Sequence, residues 1–207
     1  TPPQDTAEII DWLTKFIKYV NQSDDLSQLI NLAILHYQFE SIHPFYDGNG
    51  RAGRILNILY LILNNLIDIP ILYLSSYIID NKPDYYRLLN QLNKTGEWEE
   101  WIISILKAVE HTSKDTIRKI TKIKDQLDST IIKVQNEAPK IYRKELVELL
   151  FEQPYSKIEF VIEKLGVERK AASRYLKELE NIGVLESQKI GRETLYINKT
   201  LIEILKQ

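Results

Sequence analysis

The residues that could most readily take part in a reaction lie together in segment 43–54, HPFYDGNGRAGR. It holds an imidazole, a carboxylate, a glycine pair and two arginines. Gly48 and Gly50 allow the backbone to come close to a ligand, and amides at a helix start form a concave anion site. Arg51 and Arg54 share one helix face at the positive end of its dipole. Because that position is unfavourable for cations alone, the segment predicts a bound polyphosphate.

Two further side chains of this segment suit chemistry on a phosphate. Asp47 offers a hard oxygen, and Mg²⁺ prefers one or two carboxylates together with phosphate and water. His43 lies just upstream, and an imidazole that titrates near neutral pH can take a proton from an attacking hydroxyl. The other histidines, His36 and His111, have no ligand spacing between them, and we interpret both as ordinary helix residues.

The segment resembles the signature of the Fic (Fido) family, H-x-F-x-D/E-G-N-G-R-x-x-R, at every defined position. The resemblance implies a protein adenylyltransferase that moves AMP from Mg-ATP to a Ser, Thr or Tyr hydroxyl of a target protein or of itself, releasing pyrophosphate. It implies that His43 is the general base, that Asp47 holds Mg²⁺ and that Phe45 anchors the loop in the core.

The same resemblance implies how the nucleotide is held. Gly48, Asn49 and Gly50 would line the anion hole for the α- and β-phosphates, and Arg51 and Arg54 would hold the β- and γ-phosphates. The adenine side would be formed by Tyr85, Tyr86 and Asn93. For the tyrosines, packing on a helix is an equally open interpretation. The loop holds phosphates and not the ring, so transfer from UTP or CDP-choline stays an alternative.

The sequence departs from many Fic proteins in one respect. It contains no match to the inhibitory motif S/T-x-x-x-E-G/N, whose Glu pairs with the second arginine of the signature. The most similar family members carry that helix upstream, with a flap that docks the target just before a Pro-Pro pair, and this sequence opens at Thr1-Pro2-Pro3. We therefore expect an N-terminally truncated core in which Arg54 is unrestrained, and we expect nucleotide binding more firmly than transfer.

Apolar spacing of three and four residues predicts helices for most of the chain. In the first part they cover 6–19, 26–39, 55–66, 75–80, 83–93 and 97–110. After Pro139 they cover 142–152, 157–165 and 169–181, followed by a hairpin of 184–190 and 194–198 around Gly191. The predicted fold is an all-α Fic core, 1–110, a connecting helix, 111–139, and a small α+β winged helix-turn-helix domain, 140–207.

An apolar stripe runs along the connecting helix. Its members are Ile117, Ile120, Ile123, Leu127, Ile131 and Val134. Two interpretations fit: the stripe packs on its own domain, or it forms a coiled-coil seam in a homodimer.

Basic residues gather on the third helix of the predicted winged module, where a recognition helix would enter the major groove. They are Arg169, Lys170, Arg174 and Lys177. Glu168, Glu178 and Glu180 dilute this charge, so DNA binding and a solvated, packing face are both open. A nucleotide-sensing transcriptional regulator is accordingly the alternative to the enzyme.

Composition limits the other possibilities. Apolar residues make up 44% and charged residues 27%, which is typical of a soluble globular chain. The longest apolar run, 55–63, is too short to span a bilayer, so we expect no membrane partner. The chain has no cysteine, which excludes disulfides and thiolate chemistry, and the expected compartment is the cytoplasm.

Overall fold

The computed structural model describes residue 3, residues 5–22 and residues 25–206. Of the opening Thr1-Pro2-Pro3 discussed above, Thr1 and Pro2 lie outside the described residues. The helices are α1 (Thr6–Val20), α2 (Gln28–Ile42), α3 (Asn49–Leu63), α4 (Leu74–Asp80), α5 (Lys82–Thr95), α6 (Glu99–Glu137), α7 (Lys144–Glu152), α8 (Ile158–Leu165), α9 (Arg169–Asn181) and α10 (Lys199–Lys206). The strands are β1 (Tyr155–Ser156), β2 (Glu186–Ile190) and β3 (Glu193–Ile197).

The chain forms two compact units, Thr1–Thr116 and Ile117–Gln207. The limit between them falls inside α6, which joins the two helices predicted over 97–110 and 111–139. No glycine or proline occurs within α6, so nothing in the backbone interrupts the helix there. The predicted domain limits at 110 and 139 stay predictions.

The first unit is all-α among its described residues, as predicted. Every residue of α2 after Gln28 is buried or half-buried, and the buried ones include Leu32, Leu35 and Phe39. Trp101 of α6 is also buried and donates its indole N–H to the carbonyl of Ala33 at 2.9 Å. These contacts hold α2 in the core. Segment 43–54 follows directly from its C-terminal end.

His36 joins three helices inside this core. Its Nδ1 lies 3.1 Å from Nδ2 of Asn57 on α3, and its Nε2 lies 2.9 Å from the hydroxyl of Tyr85 on α5. Burial, helped by the positive charge of Arg54, lowers the pKa of His36 to about 4. The histidine is therefore neutral at pH 7, and it is a buried polar link rather than an ordinary helix residue. His111, by contrast, is exposed on α6.

Acid should weaken the first unit through His36. Between the ordinary histidine pKa of about 6.5 and the folded value, the unfolded chain takes up a proton that the folded chain does not. The free energy of unfolding is unaffected by this group above pH 6.5 and falls as the pH drops towards 4. At pH 5 the loss is about 2 kcal/mol.

Urea unfolding at pH 7 and pH 5 measures this loss. A His36→Gln variant, which cannot titrate in this range, is the control and should lack that part of the pH dependence. Equal pH dependence in the two proteins would show that His36 is protonated equally in both states.

The second unit is α+β, as predicted. β2 and β3 form an antiparallel hairpin, and Gly191, at φ +61°, lies in the two-residue turn between them. β1 pairs with β3, which gives a three-stranded sheet in the order β1-β3-β2. The sequence pattern missed β1, which has only two residues, and α10, whose buried Leu201 and Ile204 carry a helical spacing.

The apolar stripe on α6 divides into two parts. Val134 is fully buried, and Leu127 and Ile131 pack against the core of the second unit, so this end of the stripe packs on its own domain. Ile117 and Ile120 are 63% and 49% exposed. Pairing of these two with a second copy stays a prediction.

Among the described helices, none is both long enough and apolar enough to span a bilayer.

Candidate active-site loop

His43 lies where α2 ends. Its backbone is left-handed, with φ 50° and ψ 54°, and its N–H donates to the carbonyl of Phe39 at 3.0 Å. A left-handed cap is uncommon for a residue with a side chain and reverses the chain direction. The backbone makes the cap and the imidazole side chain is exposed, so the ring is available to a ligand.

α3 begins with an open set of amides. Gly48 is its N-cap, at φ +85°, and the first helical bond runs from Ala52 N–H to the carbonyl of Gly48 at 3.0 Å. The amides of residues 49–51 make no backbone hydrogen bond within the described chain. The helix starts six residues before its apolar pattern does, so the amides and both arginines belong to one helix end suited to an anion.

Asn49 holds the loop from inside. Its side chain is buried, accepts from Phe45 N–H at 2.8 Å and donates to Phe45 C=O at 2.6 Å. The amide side chain is therefore committed to the loop backbone. Only the backbone of Asn49 is available for the predicted anion hole.

The prediction that Phe45 anchors the loop in the core is wrong. The Phe45 side chain is 53% exposed, and its ring lies 6.3 Å from that of Phe39 at the edge of the core. The two hydrogen bonds from Asn49 hold the Phe45 backbone instead, so the aromatic ring need not be buried to fix the loop.

Asp47 and Arg51 form a loose, exposed pair. Asp47 Oδ2 lies 3.8 Å from Arg51 Nη2, with the side chains 88% and 76% exposed, while Asp47 Oδ1 accepts from Gly48 N–H at 2.7 Å. A pair this exposed contributes little stability, so either partner is free to turn to a ligand. The described residues hold no group of three or more His, Asp or Glu side chains that could together bind a metal ion. One exposed carboxylate fits a Mg²⁺ ion that takes its other ligands from phosphates and water.

Arg54 lies deeper, beside Glu40 of α2. The Nε of Arg54 and the Oε1 of Glu40 are both buried and make no hydrogen bond among the described residues. Burial raises the pKa of Glu40, although the charges of His43 and Arg54 act to lower it. Sequence reasoning missed Glu40; the available signal was that it is the one Asp, Glu, Lys or Arg in α2.

Comparison with known proteins concerns both this loop and the second unit. A family model described as Fic/DOC family matches residues 1–61, a range that includes all of segment 43–54. A second model, described as Protein adenylyltransferase SoFic-like, C-terminal domain, matches residues 127–201. The chain belongs to the Fic/DOC family. Its first unit is accordingly a Fic core, and the α+β unit follows it.

Two curated Fic relatives align with part of the chain. A probable protein adenylyltransferase of Aquifex aeolicus (strain VF5) is 35% identical over 77 residues, which are 37% of this chain and 23% of that protein. Protein adenylyltransferase Fic of Nematostella vectensis is 31% identical over 103 residues, 49% of this chain and 21% of that protein. The matched part thus spans less than a quarter of each relative's length.

A solved structure supports the fold over more of the chain. The crystal structure of a Fic family protein from Desulfovibrio desulfuricans G20 superposes with a TM-score of 0.52 at 19% identity. The superposition covers 95% of this chain and 56% of that one. At this identity the likeness shows the fold alone.

The three predicted adenine-side residues of the Fic core differ in burial and in their contacts. Tyr85 is buried, and its hydroxyl is bonded to His36, so its ring packs in the core. Tyr86 is 50% exposed, with its ring 5.4 Å from that of Tyr85. Asn93 is exposed and accepts from the Tyr37 hydroxyl at 2.7 Å. Contact of Tyr86 and Asn93 with a nucleotide base stays a prediction.

In the unit that follows the Fic core, the four predicted basic residues are all exposed on α9. Arg169 forms an ion pair with Glu159 at 2.9 Å, and Arg174 lies 5.6 Å from the ring centre of Tyr175. Lys170, Arg174 and Lys177 are spaced four and three residues apart, so they share one face of the helix.

Proposed function

We propose that this chain is a protein adenylyltransferase that moves AMP from Mg-ATP to a hydroxyl of a target protein or of itself. The observation that carries the proposal is the meeting of three features in one loop: open amides at the start of α3, two arginines on its first turns and the exposed imidazole of His43. The names of the curated relatives support the same activity.

The chemistry is an in-line displacement at the α-phosphorus. The target hydroxyl oxygen forms a new bond to that phosphorus, the bond to the bridging oxygen breaks, and pyrophosphate leaves with its electron pair. His43 takes the proton of the attacking hydroxyl. Amides 49–51 stabilise the charge on the α- and β-phosphates, and Arg51 and Arg54 bind the departing end. Asp47 would hold Mg²⁺, which neutralises phosphate charge when bound.

Labelling with ATP that carries the label at one of two different phosphorus atoms tests the proposal. The protein is incubated with a cell lysate, Mg²⁺ and ATP labelled either on the α- or on the γ-phosphorus. Relative to the lysate alone, adenylyl transfer predicts additional stable protein label from the α-labelled ATP and no additional label from the γ-labelled ATP. Additional label from the γ position would indicate phosphoryl transfer, and no additional label from either would contradict the activity.

Competition identifies the donor. An excess of unlabelled ATP should suppress labelling, whereas equal excesses of UTP and CDP-choline should not. Stronger suppression by UTP or by CDP-choline would indicate that this nucleotide is the donor. The loop is proposed to contact only the phosphates, so it does not distinguish between bases.

A second proposal concerns the unit after the Fic core, because Lys170, Arg174 and Lys177 form an exposed basic face on α9. α8 and α9 are joined by a short turn with Gly166 at φ +61°, and the hairpin follows, which is the order of a winged helix-turn-helix. In this arrangement α9 would enter the major groove of duplex DNA, and nucleotide dependence of binding would make the chain a nucleotide-sensing regulator.

Gel shifts at low and physiological salt, with and without ATP, test DNA binding. Replacing Lys170, Arg174 and Lys177 together by alanine should weaken binding and reduce its salt dependence. A control of equal charge replaces three lysines elsewhere: Lys94, Lys107 and Lys124. An equal loss of DNA affinity in the two variants would mean that DNA is attracted only by the net charge of the protein. The basic side of α9 would then be a solvated or packing surface.

A further inference from the structure

The start of α3 has a glycine-lined notch that faces α2. Gly50 and Gly53 are three residues apart and lie on one side of the helix. A Cβ on Gly53 would stand only 2.8 Å from Oε1 of Glu40 and 3.1 Å from Phe39 Cδ1. The absence of side chains at these positions is therefore what allows the Glu40 carboxylate to approach the helix.

The same notch brings Arg54 to Glu40. A Cβ on Gly50 would lie 3.1 Å from Nη1 of Arg54 and 3.9 Å from Oε1 of Glu40, so both charged groups border one small space. Each contributes a buried polar atom that has no hydrogen bond among the described residues, Nε of Arg54 and Oε1 of Glu40. One is a donor and the other an acceptor, and buried groups of this kind are costly when left unpaired.

Two other polar side chains of this region already have partners. The Tyr85 hydroxyl is bonded to His36 at 2.9 Å, and Asp47 is exposed beside Arg51. Burial raises the pKa of Glu40, so the protein loses some stability by keeping a carboxylate there. A residue that costs stability beside a functional arginine is typical of a site shaped for function.

We propose that Glu40 is a positioning residue for Arg54, an inference that rests on the proposed function. When a triphosphate binds, Arg54 Nε–H donates to Glu40 Oε1. Because the guanidinium is a planar fork, this bond fixes its plane and directs the remaining N–H groups at the terminal phosphates. Glu40 itself contacts neither the nucleotide nor the reacting atoms.

Binding titrations of Mg-ATP and of AMP to the full chain test this role. Glu40→Ala should weaken Mg-ATP binding about tenfold, since a hydrogen bond to a charged group is lost. Glu40→Gln, which keeps an acceptor, should lose less. AMP binding should be unchanged in both variants, because AMP lacks the phosphates that Arg54 would hold. The melting temperature should stay equal or rise, which a purely structural role would not give.

A double-mutant cycle makes the role specific to Arg54. In an Arg54→Ala background, Glu40→Ala should have no further effect on Mg-ATP binding. A persistent effect, an equal loss of AMP and ATP affinity, or tighter ATP binding in Glu40→Ala would overturn the inference. If Arg54→Ala weakens binding and Glu40→Ala does not, the Glu40 role alone fails. If the unmutated protein does not bind Mg-ATP, the proposed function fails with it.

Discussion

Replacing His43 with asparagine should lower the rate of AMP transfer about a hundredfold or more, because a general base contributes roughly 10²- to 10⁴-fold. Asparagine tolerates the left-handed backbone found at this position, where alanine would add strain. The His43 N–H that caps α2 is a backbone group and is retained in the variant. Mg-ATP affinity should therefore stay within about twofold.

The measurement is the initial rate of label incorporation from α-labelled ATP at saturating nucleotide. His111→Asn is the matched control, since His111 is exposed on α6 and belongs to no part of the loop. Transfer by His43→Asn within about tenfold of the unmutated rate would remove the general-base role, given the usual size of that contribution.

Replacing Arg54 with alanine should weaken Mg-ATP binding by about ten- to a hundredfold and leave AMP binding nearly unchanged. The expected size follows from charge-assisted bonds to phosphate, each worth roughly 1.5–3 kcal/mol. Part of Arg54 is already buried beside Glu40, so its guanidinium is held near the start of α3 before any ligand binds. Less ordering of the side chain is then needed on binding.

Titration calorimetry at fixed salt measures this change. Arg87→Ala is the matched control: it removes the same charge from an exposed arginine that is paired with Asp84 and Glu100 on α5 and α6. Equal effects of the two substitutions would mean that Arg54 acts only through the net charge of the protein and does not contact phosphate.

The sequence predicts the structure best where the pattern is local. The helix predicted over 169–181 has those bounds in the structure, and the hairpin forms around Gly191, because apolar spacing and a positive φ are properties of a few neighbouring residues. In the site segment, Arg51 and Arg54 lie on the first turns of a helix, as the sequence predicts, but that helix begins at Asn49, six residues before the start at 55 that the apolar pattern predicts.

The parts that were missed depend on contacts between distant residues. Glu40 lies beside Arg54 because α2 packs against the glycine-lined notch of α3, and no spacing within α2 indicates that packing. His36 was read as an ordinary residue because its partners are 21 and 49 positions away. Phe45 was expected in the core on the basis of resemblance, whereas Asn49 already holds its backbone.

The proposed activity requires a triphosphate bound against the amides between Asp47 and Arg54. An amide-resolved NMR titration of the full chain with Mg-ATP examines this contact at the amides themselves. We expect large, saturable shifts of the amides of Asn49, Gly50 and Arg51, with the same binding constant as the whole titration, and loss of that saturation in Arg54→Ala. Saturable shifts confined to other parts of the chain, with these amides unmoved, would contradict it.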